Sequence, residues 1–253
     1  MNDDLVKAHL NVYAILQNLE NLVTLDSTMT EMTREWDATI QFSVLNGPSA
    51  YVEFKNGLCR HGRGRHPGAS VRLFFVSPKH LNAMFEGKAN PIPLKGLTRL
   101  KFLQNDFKRL TDRLEYYLRP QNGKKKEKRF TQVSTTLQLY TAFHAVRELA
   151  LLDGVSKTIA SRIGPGPLQV EVLPKGPYIH LDFAKGDVKV RKSLAEKPIA
   201  RMTFKNMRVA SRLLAGELDA FQAVAAGDIM LQGQIPMIDN VNLILDRVEA
   251  YLA

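Results

Sequence analysis

Cysteine is almost absent from this 253-residue chain. Cys59 stands alone, so no intramolecular disulfide can form and nothing calls for an oxidising compartment. The opening Met1-Asn2-Asp3-Asp4 is acidic where a secretory leader would be basic and then apolar. No stretch approaches the roughly 18 consecutive apolar residues that suggest a membrane helix. Catalytic signatures are missing as well: there is no nucleophile elbow, no phosphate-cradling glycine loop and no His-Glu-x-x-His helix. Cys59, His61 and His66 share one short stretch, yet their spacing fits no zinc pattern and no fourth ligand stands out. The expectation is a cytoplasmic, non-catalytic protein with no cofactor and no metal. A composition of 45% hydrophobic and 24% charged residues excludes wholesale disorder and fibrous structure.

Charge is uneven. The net +10 splits into 20 Lys and Arg against 13 Asp and Glu in residues 1–128, and 15 against 12 in residues 129–253. Lys124, Lys125, Lys126 and Lys128 form the densest run, after a Pro120-Gln-Asn-Gly turn signal, and read as a basic linker over 121–129. A basic surface attracts nucleic acid, anionic lipid or acidic ligands without choosing among them. The run lacks interleaved aromatics, which weakens the nucleic-acid option.

An internal repeat organises the chain. Shifted by 129 positions, residues 47–87 lie over 176–216 without a gap. Gly47/Gly176, Pro48/Pro177, Phe54/Phe183, Gly57/Gly186, Arg72/Arg201, Phe75/Phe204 and Gly87/Gly216 are identical. Further on, Asp112-Arg-Leu-Glu-Tyr-Tyr-Leu118 falls on Asp246-Arg-Val-Glu-Ala-Tyr-Leu252. Two copies of one module are expected, over 1–120 and 130–253.

Helical periodicity opens each copy, through Leu10, Tyr13, Leu16 and Leu19, and through Leu137, Tyr140, Phe143 and Val146. Period-two segments follow, Ile40–Val44 with Tyr51–Phe54 and Leu168–Val172 with Tyr178–Phe183, then Val71–Phe75 or Ile199–Phe204. A helix ends at Gly87 or Gly216, and a short helix over 220–226 appears in copy two only. Last come a strand, 97–103 or 228–235, and an apolar-striped helix. The fold class is α+β: two tandem modules, each a five-stranded, mostly antiparallel sheet covered by helices.

Ala200-Arg-Met-Thr-Phe-Lys-Asn-Met-Arg-Val-Ala-Ser-Arg-Leu-Leu-Ala-Gly216, followed by Gly227, Ile229, Leu231 and Gly233, resembles the sterol carrier protein type-two family. In copy one, Gly96 keeps the first glycine of the closing motif, Phe102 stands near the second, and Pro91 and Pro93 interrupt the preceding helix, so that copy is read as degenerate. The resemblance implies an apolar tunnel between sheet and helices in copy two. Its lining is expected from Leu213, Leu214, Phe221, Val224, Met230, Ile238 and Leu245, with Arg60, Arg63 and Arg65 as candidates for an anionic headgroup. The expected function is an intracellular lipid carrier whose partner is a hydrophobic ligand (fatty acid, acyl-CoA, phospholipid or sterol), with an anionic membrane surface as a second partner. A structural or regulatory protein without a working tunnel is the alternative, and nucleic-acid binding a weaker one. No oligomeric state follows from the sequence.

Overall fold

The computed structural model describes residues 3–119 and 127–252. The chain separates into two compact units, Asn2–Gln121 and Asn122–Ala253, described here one at a time.

In the first module, α1 (Asp3–Leu10) passes through a π turn (Asn11–Ile15) and a 3-10 turn (Leu16–Asn18) into α2 (Leu19–Leu25). After α3 (Ser27–Thr33) come β1 (Ala38–Val44), β2 (Ser49–Lys55), β3 (Leu58–Arg63), β4 (Val71–Phe75), α4 (Pro78–Phe85) and β5 (Ile92–Lys95). Tight helical turns over 97–107, which include α5 (Leu100–Phe102), lead into α6 (Lys108–Leu118). The second module repeats the order: α7 (Lys128–Leu152), α8 (Gly154–Ala160), β6 (Gly166–Val172), β7 (Tyr178–Ala184), β8 (Asp187–Arg191), β9 (Ala200–Phe204), α9 (Met207–Leu214), α10 (Ala220–Ala225), β10 (Ile229–Gly233) and α11 (Ile235–Leu252).

Both sheets have five strands in equivalent order, β3-β2-β1-β4-β5 and β10-β9-β6-β7-β8 read from opposite edges. Each has one parallel pair, β1 with β4 and β6 with β9; the other pairings are antiparallel. Alternation puts Ile40, Phe42, Val52, Phe54, Val71 and Phe75 on one buried face, and Leu168, Val170, Ile179, Leu181, Met202 and Phe204 on its counterpart.

Three departures from the sequence expectation have physical causes. The last strand of module one is Ile92–Lys95 and not 97–103, which coils into helical turns. Pro93 is tolerated because β5 is an edge strand, with a register shift opposite Arg72 and Leu73. Gly96 therefore corresponds to Gly233 and not to Gly227. Both have positive φ, and an added Cβ would come within 2.8 Å of the Ser70 carbonyl oxygen at Gly96 and would collide with the Ile199 carbonyl oxygen at Gly233. From Gly87 to Gly96 the chain is eight residues shorter than from Gly216 to Gly233, and the missing piece holds α10. Finally, Lys128 and Arg129 open α7 and are not linker; the rest of the proposed linker, apart from Glu127, lies outside the described residues.

One duplicated contact was invisible to the ungapped match. Gln41 and Gln169 sit buried at equivalent places on the central strands, on the face away from the main core. Gln41 Nε2 donates to the carbonyls of Phe42 and Ala50, and its Oε1 accepts from the His66 backbone N–H at 2.7 Å. Gln169 Nε2 donates to Val170 and Ile179, and its Oε1 accepts from the Ala195 N–H at 2.7 Å. Each glutamine pins the long crossover, β3 to β4 or β8 to β9, over its sheet.

Candidate functional site

The candidate site is the helix-covered side of the second sheet. Asn206 caps α9 by accepting the Val209 N–H at 3.0 Å, and Asp219 caps α10 through the Gln222 N–H at 2.8 Å. Gly216, with φ +67, ends α9 as the sequence expects. Helix α9 packs on α7 and β9, α10 on β10, and α11 spans α7, α8 and β9. Ile238 is fully buried, whereas Leu213, Leu214 and Leu245 are half-buried on α9 and α11.

The remaining lining candidates lie elsewhere. Met230 pairs with Thr203, on the face that carries Glu171 and Arg201, and is 43% exposed. Its neighbours Ile229 and Leu231 pair with Phe204 and Met202 on the helix-covered face. A strand has period two, so reading the face one residue out exchanges floor for outside. Phe221 and Val224 are at the surface, 88% and 39% exposed.

Arg60, Arg63 and Arg65 do not form one anion site. Arg63 pairs with Ala50 on the core face, and its guanidinium stacks 3.8 Å over the Tyr13 ring. Arg60 pairs with Glu53 on the opposite face, and Arg65 follows Gly64 in the crossover. Cys59 and His61 share Arg63's face, while the His66 ring packs against Tyr51 on the other. Among the described residues no group of three or more His, Cys, Asp or Glu is placed to hold a metal. No described helix is long and apolar enough to cross a membrane.

Sequence reasoning missed a latch that appears twice. Asp153 caps α8 through the Ser156 N–H, and its carboxylate accepts from Arg247 Nε at 2.6 Å, Arg247 Nη2 at 2.8 Å and Tyr251 Oη at 3.0 Å. In module one, Asp26 caps α3 and accepts from Arg113 Nε at 2.7 Å and Tyr117 Oη at 2.9 Å. Arg113/Arg247 and Tyr117/Tyr251 are identities of the repeat, so the signal was present without its partner carboxylates. Hydrogen bonds from Arg247, against the opposing effect of burial, hold the Asp153 carboxyl well below its usual range. Burial opposes ionisation of Asp26, but the hydrogen bonds from Arg113 and Tyr117 and the Arg113 charge outweigh it, and its pKa also falls. Burial, with the hydrogen bond to Asp26, pushes the Tyr117 phenol up to about 12. These groups hold the closing helix of each module in place.

No family model and no curated protein matches the chain. Among solved structures, it is similar to a ubiquinone synthesis protein described as UbiJ-SCP2, at 20% identity and TM-score 0.32, over 40% of this chain and 86% of that one. It is also similar to sterol carrier protein domain 2 of Helicoverpa armigera, at 20% identity and TM-score 0.34, over 44% and 87%. A stereoselective inverting sec-alkylsulfatase from Pseudomonas sp. matches at 14% identity and TM-score 0.26, over 57% of this chain and 28% of its own. At these identities and scores they are likenesses, and they carry neither ligand nor activity to this chain.

Proposed function

We propose that the second module binds the acyl part of a lipid between α9, α10, α11 and the helix-covered face of its sheet, without catalysing a reaction. The observation that supports this is the set of incompletely buried apolar side chains on α9 and α10. Leu213 and Leu214 are only half-buried, and Phe221 and Val224 stand in solvent on a helix that module one lacks. Water-exposed apolar groups gathered at one place mark a binding edge more often than a structural need. Each methylene that such a site buries completely gains roughly 0.8 kcal/mol.

The aromatic content beside the two sheets differs. Module one fills the region beside Phe54 with rings: Trp36 at 5.0 Å, Phe107 at 6.3 Å, and Phe102 against Trp36 at 4.8 Å. In module two, beside the equivalent Phe183, the position of Phe107 is Val241, and the chain has no second tryptophan. Val170 in place of Phe42 frees less, because Ile179 opposite it replaces Ala50. On this reading Ile229 and Leu231 form the floor, Leu213, Leu214 and Leu245 the walls, and Phe221 and Val224 the rim.

The test is gentle-ionisation mass spectrometry of the purified protein, followed by titration of stripped protein with a fluorescent fatty acid. Micromolar binding that Leu214→Trp abolishes, with the fold retained, is expected. Absence of bound lipid, together with no binding by stripped protein, would leave an interaction module without a ligand as the better reading.

A further inference from the structure

Corresponding segments of the two modules carry opposite charge. Residues 87–106 contain Lys88, Lys95, Arg99 and Lys101 against a single acid, Asp106, at the far end. Residues 216–240 contain Glu217, Asp219, Asp228 and Asp239 and no Lys or Arg. Both segments expose apolar side chains, so charge separates what they can meet. In module two Lys205 pairs with Asp228 and Arg212 reaches the Glu217 carbonyl, so these acids are partly offset, whereas module one's segment keeps a net positive charge.

In module one the exposed apolar groups are Leu94 at 64%, Leu97 at 63% and Ile92 at 42%, on the edge strand β5 and the turn after it. Cations surround them. Lys95 pairs across the sheet with exposed Arg72, and its ammonium is held by the Ala69 carbonyl at 2.6 Å. The Arg99 guanidinium is held by the Asp37 backbone carbonyl at 2.7 Å. Carbonyl contacts fix these heads without neutralising them. Lys101 is exposed, and among the described residues Lys88 alone of these four has a carboxylate partner, Glu86.

An extended peptide adding to the β5 edge is a poorer occupant. Proline has no N–H and is accepted in a strand only where its nitrogen faces away from the ladder. Pro91 and Pro93, two residues apart, therefore strip donors from the free edge that a peptide would need. Branched aliphatic side chains that stand out between fixed cations suit the headgroup boundary of a bilayer instead.

We infer that the Ile92–Lys101 surface of module one docks on an anionic lipid bilayer, placing the chain at a membrane independently of what module two binds. The test is co-sedimentation of lipid-stripped protein with phosphatidylcholine vesicles, with and without phosphatidylserine. The same assay on Leu214→Trp, in which module two takes no acyl chain, separates vesicle docking from cargo binding: docking by module one should persist in it. Binding only to serine-containing vesicles, weakened by salt, is expected. Lys101→Glu should lower it about thirtyfold, the effect of two unit charges at an anionic leaflet. The double variant Leu94→Ser/Leu97→Ser should lose insertion while keeping its circular dichroism. If wild-type protein ignores anionic vesicles, the inference is wrong. Loss on Lys101→Glu but not on the double variant would mean attraction to any polyanion, an acidic protein included, and would overturn it. So would loss on Phe221→Ser alone, which would place the contact on module two.

Discussion

Arg247 in the final helix grips Asp153, 94 positions earlier, with two nitrogens at 2.6 and 2.8 Å. The carboxylate is almost fully buried and also caps α8, so one side chain ties two helices together. Asp153→Ala is expected to cost about 3 kcal/mol, from a broken buried pair and a lost cap. Hydrogen exchange is the informative readout, because α8 and α11 should open while module one keeps its protection.

Acid and base should each weaken the latches, acid through the carboxylates and base through the phenol. Folded-state pKa values of Asp26 and Asp153 are depressed, so their contribution is present above the unfolded value of about 3.9 and disappears as pH falls through the folded values. The stability gap between wild type and Asp153→Asn should be full at pH 7 and narrow below about pH 4. Tyr117 is raised to about 12, so its contribution is complete below the unfolded value and is lost as pH rises from there through 12. Urea titrations of wild type and Tyr117→Phe should converge in that alkaline window.

Gln169→Leu should release the β8–β9 crossover. Its apolar side chain leaves the Ala195 N–H without its acceptor and the Val170 and Ile179 carbonyls without their shared donor. A penalty of about 2–3 kcal/mol follows if these groups stay buried. Faster tryptic cleavage after Lys192 is the direct check, and unchanged cleavage would deny the pin.

Gly233→Ala should be more damaging than its size suggests. Positive φ strains any side chain there, and the new Cβ would run into the Ile199 carbonyl oxygen. Loss of about 3 kcal/mol or of β9–β10 pairing is expected, seen as lowered thermal midpoint. Gly96→Ala should behave alike in module one, whereas Gly186→Ala, with open space around it, should cost less.

Phe221→Ser tests the rim. Its ring is 88% exposed, so the fold should be indifferent, with a stability change within about 0.5 kcal/mol. Fatty-acid association should slow nonetheless, as measured by stopped-flow fluorescence.

The repeat, the strand alternation and the helix stripes were legible from residues alone, because periodicity is local and identical glycines mark identical turns. Phe54/Phe183 and Gly87/Gly216 needed no structure to be paired. Equivalence of Gly96 with Gly233 did need it, since an eight-residue difference in length hides the match until both glycines are seen under the strand entering β4 or β9. Met230 was misplaced for a related reason: alternation gives two faces but does not say which one the helices cover. Gln41, Gln169, Asp26 and Asp153 carry no periodic signal, and their partners lie up to 98 positions away. The sequence by itself determined the elements and their duplication. Only tertiary structure decided which faces are covered, where the buried polar groups find partners, and which apolar residues are left without any, because those depend on what packing brings together across the chain.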